Sequence, residues 1–473
     1  MKFLFIYPDI NEVDAGFVDN KGCYYYGIAQ LSSVLKEVGV QTGLLHFTSR
    51  PSKESLLRDV VEFAPDIIGF SSTTLMIEDV FQWARWLREA GILTPLVLGG
   101  SHATLDFKEV AERDLFNVIF VGESEESLLE YCRRFCDQPT DILGTVVRKM
   151  DGGYIFNAAR PLEQSLDNYP FPDWNLFDYE NLYDMKPHKR GILMASRGCP
   201  FRCSFCSNDR YVELYRGKGK FVRLNSVDYI VAEAKEMKKE YPSINYFQFV
   251  DDVLGADPTW LKEFSEKWPR EVNMDFYGNI NVNVCNQDTI RLLAQSGCRR
   301  LQIGVETGNE LRRKEILRKF VFNKTYEKVI GECHKYGIIV NNLNMIGLPF
   351  ETEENILETI HFNAKLRPKL LQCTIFYPFP HTYLYDFCLE NGLISGNSIK
   401  SDYFRDSVLS NSSISKEVLY FYRDNFKTLV KIYEYINIDW LIKFLGHKRS
   451  AKIINLFRTR KELKKWLYQP RKN

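Results

Sequence analysis

The sequence predicts an α/β protein with an N-terminal doubly wound parallel sheet, a second series of strand–helix units and a C-terminal helical region. Over the first 150 residues, short apolar runs typical of strands alternate with helical patterns. The alternation returns with six strands between residues 192 and 376, and beyond Asp386 the apolar residues follow a helical period. Alternating strands and helices with short connections are typical of parallel sheets covered by helices.

The N-terminal region contains five predicted strands. They are residues 2–7, 41–47, 66–71, 95–98 and 117–121. The predicted helices between and after them are residues 28–38, 54–63, 77–90 and 124–135. Because ligands of such sheets bind beyond the carboxyl ends of the strands, the loops that follow the strands are candidate binding loops.

A second series of strands follows a linker. The segment 166–174 has two prolines and aromatic anchors, breaks the periodicity and predicts a connection without regular structure. The six strands after it are predicted at residues 192–195, 246–250, 275–282, 300–305, 338–345 and 371–376. We therefore predict domains at 1–150, 189–390 and 391–473, with the linker at 151–188.

Composition indicates a globular chain in a reducing compartment. Hydrophobic residues make up 45% and charged residues 26% of the 473 positions, as in ordinary soluble proteins. Eleven cysteines are too sparse for a disulfide scaffold, and the apolar stretch 3–7 runs into Pro8-Asp9, unlike a signal peptide. No apolar run approaches the roughly 20 residues that cross a bilayer. We therefore expect a cytoplasmic protein without a transmembrane segment.

The charge is concentrated at the C-terminus. The formal net charge is only +1, but residues 443–473 hold 11 Lys or Arg and 1 Asp or Glu. The rest of the chain therefore holds 51 Lys or Arg and 60 Asp or Glu. Such a tail can make peripheral contact with an anionic membrane or bind nucleic acid. The alternative is a solvated helix face.

Three cysteines form a Cys-x3-Cys-x2-Cys run at Cys199, Cys203 and Cys206. Thiolates select soft metals and iron-sulfur clusters, and a cubane of four irons held by three thiolates keeps one iron open for a substrate. Arg197 and Arg202 flank the run, and neighbouring cations favour the thiolate form. The alternatives are buried small side chains, or three ligands of a zinc site, although zinc signatures normally arrive as paired couples.

This spacing resembles that of radical S-adenosylmethionine (SAM) enzymes, in which three cysteines hold a [4Fe-4S] cluster. In that family the open iron is chelated by the methionine moiety of SAM. The resemblance implies that the six strands of the second series form a partial (β/α)6 barrel, with chemistry at the carboxyl ends of the strands.

Further resemblances lie at the ends of the later strands. The family places polar groups near the methionine amino group after the second strand, a carboxylate on the ribose hydroxyls after the fourth, and backbone around adenine after the fifth and sixth. The residues implied to bind SAM are Asp251, Asp252, Glu306, Ile346, Gly347 and Tyr377. A solvated acidic turn is the alternative for the two aspartates. Phe350 and His381 stand where the family commonly has Gly.

Two N-terminal loops resemble those of the cobalamin-binding Rossmann-like domain. A Ser-x-Thr turn follows the third strand and a Gly-Gly pair follows the fourth, with 27 positions from Ser72 to Gly99. In that family both loops line the nucleotide tail of the cofactor. The residues implied to bind cobalamin are Ser72, Thr74, Gly99, Gly100, Ser101 and His102. A Rossmann-like domain that has lost its cofactor or binds another nucleotide is the alternative.

The loop after the first strand departs from the family. An Asp-x-His-x-x-Gly motif there usually supplies a histidine below cobalt, but residues 8–16 lack it and the first histidine of the chain is His46. The resemblance therefore implies cobalamin bound without a lower histidine.

Over residues 1–390 the chain resembles cobalamin-dependent radical SAM enzymes. The resemblance implies that the reduced cluster cleaves SAM to methionine and a 5′-deoxyadenosyl radical, which takes hydrogen from an unactivated carbon. C-methylation through methylcobalamin, which a second SAM remethylates, is the first expectation. Oxidative cyclisation and rearrangement use the same cofactors and stay open. The implied partners are a small-molecule or natural-product substrate and an external one-electron reductant of the flavodoxin or ferredoxin type.

Two other classes stay open with less support. Methylthio transfer to RNA needs extra N-terminal cluster cysteines, and only Cys23, Cys132 and Cys136 precede the main run. Cys132 and Cys136, one helical turn apart, are expected to pack rather than ligate. A non-catalytic cobalamin-binding protein would not need the three-cysteine run.

Overall fold

A computed structural model of the chain describes residues 1–10, 22–186, 188–395, 406–410 and 413–459. The chain divides into two compact units. The first comprises residues 1–201, 206–252 and 379–382, and the second comprises residues 202–205, 253–378 and 383–473.

The first unit contains a seven-stranded sheet of order β2-β1-β3-β4-β5-β6-β7, in which β1 to β5 run parallel and β6 and β7 antiparallel. Its strands are β1 (Lys2–Pro8), β2 (Gln41–Phe47), β3 (Ile67–Ser71), β4 (Leu96–Gly99), β5 (Val118–Phe120), β6 (Thr145–Arg148) and β7 (Tyr154–Phe156). Its helices are α1 (Tyr26–Glu37), α2 (Lys53–Phe63), α3 (Ile77–Glu89), α4 (Ser101–Leu105), α5 (Phe107–Glu112) and α6 (Glu125–Arg133).

The N-terminal parallel sheet is confirmed, and burial explains it. Strand β1 has six buried residues in seven, as expected for a central parallel strand that is covered on both faces. One covering layer is α3, whose Phe81, Trp83 and Leu87 pack in one core with Ile68 of β3. The strands thereby deliver the loops after β3, β4 and β5 to one edge of the sheet.

A second sheet has six strands in the order β15-β14-β13-β12-β11-β8, which confirms the predicted six-stranded parallel sheet. Its strands are β8 (Arg190–Leu193), β11 (Tyr246–Phe249), β12 (Phe276–Ile280), β13 (Cys298–Glu306), β14 (Ile339–Ile346) and β15 (Leu370–Ile375). A short antiparallel ribbon joins β9 (Ser196–Arg197) to β10 (Arg223–Leu224). The helices along this part are α7 (Asn208–Leu214), α8 (Val227–Glu240), α9 (Pro258–Glu271), α10 (Gln287–Gln295), α11 (Glu310–Glu315), α12 (Asn323–Lys335) and α13 (Glu353–Leu366).

The C-terminal region is helical where the structure describes it. It contains α14 (Tyr383–Glu390), α15 (Lys416–Tyr433) and α16 (Asp439–Thr459), and Gly446 with φ +70° kinks α16. Tyr422, Phe426 and Leu429 of α15 pack in a core with Ile356 of α13. Residues 396–405, 411–412 and 460–473, which include much of the basic tail, lie outside the described residues, as does most of the loop 8–16. No helix in the described ranges combines the length and the apolar character needed to cross a membrane.

Candidate functional site

The backbone of the three-cysteine loop is fixed by polar contacts while its thiols stay partly exposed. In the first unit, the Asn208 side chain donates hydrogen bonds to the carbonyls of Cys199 (2.8 Å) and Phe201 (3.0 Å). In the second unit, the Ser204 amide donates to the Leu317 carbonyl at 3.0 Å. Gly198 has φ +84°, and an added Cβ would lie 2.6 Å from the Phe221 carbonyl oxygen, so only glycine fits there. These contacts fix the backbone around Cys199 within the first unit and the backbone next to Cys203 within the second.

Arg197, two residues before the first cysteine, forms ion pairs with Glu123 (3.0 Å) and Glu125 (2.8 Å). Arg223 also contacts Glu123, with Nη1 at 3.1 Å. Burial by itself lowers the pKa of Arg197, but the carboxylates of Glu125 and Glu123 raise it by more. The sequence analysis expected Arg197 to favour thiolates, but two carboxylates balance its charge, so its contribution is to hold the loop.

Contacts within the first unit connect this ion-pair cluster to the Gly-Gly loop. The Gly122 amide donates to the Thr104 hydroxyl at 2.9 Å, and that hydroxyl donates to the Gly100 carbonyl at 2.9 Å. The Glu123 amide, next along the chain, donates to the Tyr215 hydroxyl. The loops after β4 and β5 and the strand before the cysteines are therefore parts of one network.

The two loops expected to bind cobalamin lie against each other. The Ser72 amide donates to the Gly99 carbonyl, and the His102 amide donates to the Ser72 carbonyl, both at 3.2 Å. Gly100 has φ +98°, and a Cβ there would lie 2.6 Å from the Ser72 carbonyl oxygen. At Gly99 an added Cβ would meet only the Phe120 Cβ, at 3.7 Å, so the backbone is open to a ligand on that side. Ser101 begins α4 and is partly exposed.

His102 is occupied by local contacts. It is 2% exposed, its Nδ1 lies 3.3 Å from the Thr74 hydroxyl, and its Nε2 lies 3.3 Å from a Glu109 oxygen. The contact with His102, more than that with Arg113, lowers the pKa of Glu109 to about 2. The Nδ1 contact ties His102 to the loop after β3, as expected for a histidine that fixes its own loop, whereas Nε2 has a charge contact with Glu109 but no hydrogen bond among the described residues.

His102, Asp106 and Glu109 hold ligand atoms within 4.8 Å of one another, a set that could suit a metal ion. Both carboxylates have other partners, because Arg113 lies 2.6 Å from Glu109 and His381 lies 3.1 Å from Asp106. The two carboxylates therefore have partners without an ion, whereas His102 Nε2 has no hydrogen-bond partner among the described residues.

The two aspartates after β11 occupy different environments. Asp251 is 1% exposed and accepts hydrogen bonds from the Ala195 amide, at 3.0 Å, and the Ser196 hydroxyl. Burial raises the pKa of Asp251 to about 6. Asp252 is exposed. Asp251 therefore fixes the chain that leads into the cysteine loop, and Asp252 is the aspartate that a ligand can reach.

Glu233 of α8 is a buried acid that the sequence analysis missed. It is 0% exposed, and neither carboxyl oxygen has a hydrogen-bond partner among the described residues. Burial, with Asp251 nearby, raises the pKa of Glu233 well above its ordinary value, so the group is held as the neutral acid. The sequence did contain a signal for its burial, because Glu233 lies three positions after Ile230 and four before Met237, on the apolar face of α8. An acid on the apolar face of a helix is unusual.

Glu306 ends β13 in a strained conformation beside a buried cation. It has φ +65°, rare for a residue with a side chain, and its Oε1 lies 2.9 Å from Lys319 Nζ. Burial lowers the pKa of Lys319, but Glu306, Tyr326 and Cys203 together raise it by more. Lys319 therefore places positive charge near both the Glu306 carboxylate and the Cys203 thiol. No sequence motif indicated Lys319.

The turn after β14 is built on a buried carboxylate. Ile346 is 0% exposed, and the amides of Gly347 and Leu348 donate to Glu351 Oε2, the latter at 3.2 Å. Glu351 is 2% exposed, and burial raises its pKa to about 7. Tyr377, just after β15, is 4% exposed.

Phe350 and His381 replace expected glycines, yet they keep a glycine-like backbone. Their φ angles are +56° and +58°. The backbone conformation expected of a glycine therefore persists at both positions despite the larger side chains.

Comparison with known proteins gives two domain matches. Residues 193–362 match the Radical SAM superfamily, and residues 22–131 match the B12 binding domain. An uncharacterized methyltransferase of Pyrococcus horikoshii is 26% identical over 402 residues, which span 83% of this chain and 84% of that protein. The anaerobic magnesium-protoporphyrin IX monomethyl ester cyclase of Cereibacter sphaeroides is 24% identical over 405 residues, 81% of this chain and 63% of the relative.

A solved structure shares the fold. The radical S-adenosylmethionine methyltransferase TsrM of Kitasatospora setae superposes with a TM-score of 0.67 at 16% identity, covering 88% of this chain and 82% of TsrM.

The residues present fit the cofactors that these domains use, a [4Fe-4S] cluster, SAM and cobalamin. Three partly exposed thiols in a fixed loop suit a cluster with one open iron, and the open backbone at Gly99 suits the approach of a large ligand. The chain therefore combines a region that matches the Radical SAM superfamily with a region that matches the B12 binding domain.

Proposed function

We propose that the protein is a C-methyltransferase that methylates an unactivated carbon of a small-molecule or natural-product substrate. The observation that carries the proposal is the contact network of the first unit, in which Thr104 and Gly122 connect the Gly-Gly loop to the Glu123–Arg197 pair at the cysteine loop. A chain that positions a cobalamin loop and a cluster loop together is built to use both cofactors in one reaction. The methyltransferase names of the Pyrococcus relative and of TsrM favour methyl transfer.

In this proposal Cys199, Cys203 and Cys206 hold the cluster. The bound groups supply reductive cleavage of SAM to a carbon radical and, from cobalamin, the methyl group. The chain orients the thiols through Asn208 and Ser204 and places the Lys319 ammonium near Cys203. A buried cation near Cys203 stabilises the negative charge of that thiolate.

SAM contacts are proposed at the ends of the strands. In this proposal the exposed Asp252 and the buried Asp251 serve the methionine amino group, and Glu306 with its Lys319 partner binds the ribose. The backbone of Ile346, Gly347 and Tyr377 contacts adenine in this proposal. The proposed cobalamin contacts are Ser72, Thr74, Gly99, Gly100 and Ser101, with His102 acting through its hold on the loop.

Domain roles follow from these assignments. We assign cobalamin binding to residues 1–150, the radical SAM barrel to residues 189–390 and a cap to residues 391–473, with a linker at 151–188. The external one-electron donor is proposed to be of the flavodoxin or ferredoxin type, and the compartment to be the cytoplasm.

Oxidative cyclisation is the second candidate, and the Cereibacter cyclase match favours it. The two reactions differ in their SAM products. Methylation consumes one SAM to form 5′-deoxyadenosine and another to remethylate cobalamin, so S-adenosylhomocysteine accumulates with 5′-deoxyadenosine. A cyclisation forms 5′-deoxyadenosine without that second product, and this outcome would replace methyl transfer as the conclusion.

The cluster assignment is tested by Cys203→Ala. Loss of one of three thiolates should lower iron content and abolish 5′-deoxyadenosine formation in oxygen-free assays, while cobalamin stays bound. Cys136→Ala, which removes an exposed cysteine outside the loop, is the matched control and should keep both iron and activity. Formation of 5′-deoxyadenosine by Cys203→Ala would refute the ligand assignment.

A further inference from the structure

The last described helix carries a row of large apolar side chains on its outer side. Ile436, just before α16, is 55% exposed, and Trp440 and Phe444 of α16 are 66% and 81% exposed. Positions four apart lie on one side of a helix, so Trp440 and Phe444 form a continuous aromatic surface. We name Ile436, Trp440 and Phe444 the outer stripe.

The opposite side of α16 is fixed within the second unit. Ile442 and Ile454 are each 2% exposed and belong to a core that includes Tyr422 of α15. His447 Nε2 lies 2.9 Å from a Glu353 oxygen at the start of α13. Ile442 lies on the same side of the Gly446 kink as Trp440 and Phe444, and its burial in the core leaves the outer stripe facing away from the core.

Exposed basic side chains accompany the outer stripe along α16, with Lys443 next to Phe444 and the others beyond the kink at Gly446. Lys443, Lys448, Arg449 and Lys452 are exposed, and Asp439 is the single acidic residue in the sequence of α16. Asp439 accepts a hydrogen bond from the Tyr433 hydroxyl at 2.6 Å and lies 3.3 Å from His361. Glu417 lies 3.6 Å from Lys448, but both side chains are more than three-quarters exposed, so this pair is weak. The surface is therefore both apolar and positively charged.

We propose that the outer stripe and its flanking lysines dock the protein on an anionic membrane surface. Aromatic side chains favour the boundary between headgroups and acyl chains, and each nearby cation adds attraction to anionic lipid. The contact is peripheral, with the part of α16 before Gly446 lying along the surface. It goes beyond the proposed methyl transfer and does not depend on it.

Two other occupants fit the surface less well. Ile436 has no aromatic face for stacking on a base, which disfavours a nucleic acid. A second copy related by two-fold symmetry would bring the same lysines together across the interface, which disfavours self-association. An anionic lipid surface is complementary to both features.

Vesicle flotation of the full-length chain tests the proposal. The wild type should float with phosphatidylcholine vesicles that contain phosphatidylglycerol and should stay behind with phosphatidylcholine alone. The double variant Trp440→Ser/Phe444→Ser should lose about tenfold or more in partition coefficient, because its apolar contact is gone. The matched control is Leu93→Ser/Met150→Ser, which removes two apolar residues that are 91% and 97% exposed in the first unit, and it should float like the wild type.

A charge variant tests the second half of the proposal. Lys443→Glu/Lys452→Glu should weaken flotation at low ionic strength, and the difference from the wild type should shrink as salt is added. Equal flotation of the stripe variant and the control would overturn the proposal, as would flotation that ignores phosphatidylglycerol or a wild type that does not float. A dimer that becomes a monomer in Trp440→Ser/Phe444→Ser, without vesicle binding by the wild type, would assign the stripe to self-association instead. Since flotation needs no cofactor, these outcomes are separate from 5′-deoxyadenosine formation on the same preparation.

Discussion

Glu351 illustrates how a buried side chain can shape a ligand-binding turn through the backbone. Its Oε2 accepts the amides of Gly347 and Leu348, and Phe350 beside it has a left-handed backbone. A carboxyl group in this setting is costly to ionise because burial outweighs the two amide hydrogen bonds. Its protonation therefore affects stability near neutral pH.

Glu351→Gln should change how stability depends on pH. The folded state holds the Glu351 proton up to a pKa of about 7 against an ordinary 4.5, so this group stabilises the fold less as pH rises between those values. The variant does not titrate and should gain about 3 kcal/mol over the wild type across that window, since one pKa unit corresponds to about 1.4 kcal/mol. Urea unfolding of both proteins at the two ends of the window measures the gain.

A control separates this effect from the general titration of surface carboxylates. Glu417→Gln removes an exposed glutamate of the same unit, and its stability should follow the wild type at every pH. A constant difference between Glu351→Gln and the wild type across the window would contradict the assignment.

At this scale the sequence predicted residues whose spacing is local. The cysteine run and the Gly-Gly pair were visible because their members lie within a few positions of one another. The Glu123 contacts with Arg197 and Arg223 span 74 and 100 positions, and Lys319 reaches Glu306 over 13 positions across a segment that contains α11. Such pairs form only when the strands have assembled, so spacing alone could not predict them.

At the scale of elements, the loops after β3 and β4 depend on Gly100. Its φ of +98° strains any residue with a side chain, and an added Cβ would also clash with the backbone of Ser72. Two glycines of the first unit allow these two effects to be compared, because Gly91 has φ +77° but nothing within 4 Å of an added Cβ.

Gly100→Ala should weaken cobalamin retention by about tenfold or more, because the Ser72 loop must shift to accept the new methyl group. Gly91→Ala carries the backbone strain without the clash and should retain cobalamin like the wild type. Cobalamin absorbance after gel filtration measures both. Equal retention by both variants would count against the Gly100 loop as a binding element.

The ion-pair cluster around Glu123 should stabilise the cysteine loop. Glu123→Gln removes a carboxylate whose side chain is 26% exposed and leaves Arg223, whose side chain is 2% exposed, short of a counter-charge. Breaking a buried pair costs several kcal/mol, and partial exposure reduces the expected loss to about 1–3 kcal/mol. Thermal unfolding and iron content should both fall.

Asp79→Asn is the matched control for Glu123→Gln. It breaks the ion pair with Arg50, whose side chain is 56% exposed, and should change neither measurement. Iron retention by Glu123→Gln equal to that of Asp79→Asn would contradict the role of the cluster.

The sequence predicted the strands of the repeating strand–helix units, including β5, whose three residues lie within the apolar run 117–121. Every predicted strand is present, whereas β6, β7, β9, β10, α4 and α5 were not predicted. Each of these has two to six residues, too few for a period of 2 or 3.6 to show above chance. The kink at Gly446 was equally hidden, since one glycine in a helical pattern is compatible with a straight helix.

At the scale of the whole molecule, the cysteines outside the main loop support a single cluster. Burial raises the pKa of Cys132 to about 12, and burial followed by nearby acids does the same for Cys23. A thiol that resists ionisation is a poor ligand. Cys136 is exposed, but the one cysteine near it in sequence is the buried Cys132.

Oxygen-free reconstitution should therefore give about four irons and one cobalamin per chain. Iron analysis and cobalamin absorbance on the same sample measure the two ratios. About eight irons would indicate a second cluster and favour methylthio transfer, and a chain with cobalamin but without iron would indicate a non-catalytic binding protein.

The order of the two sheets along the chain was predictable because each strand–helix repeat is local in sequence. The grouping of the strands was not, since the first compact unit includes β8 and β11 together with the N-terminal sheet. The boundaries at 150, 188 and 390 divide the sequence into consecutive segments, and they stay predictions.

The hydrogen bonds from Gly100 through Thr104 to Gly122, together with the Glu123–Arg197 ion pair, imply reciprocity between two events. If occupation of the Gly-Gly loop by cobalamin raises the affinity of the cysteines for iron, then iron at the cysteines must raise the affinity for cobalamin by the same factor. Each cofactor would then act as an effector of the other.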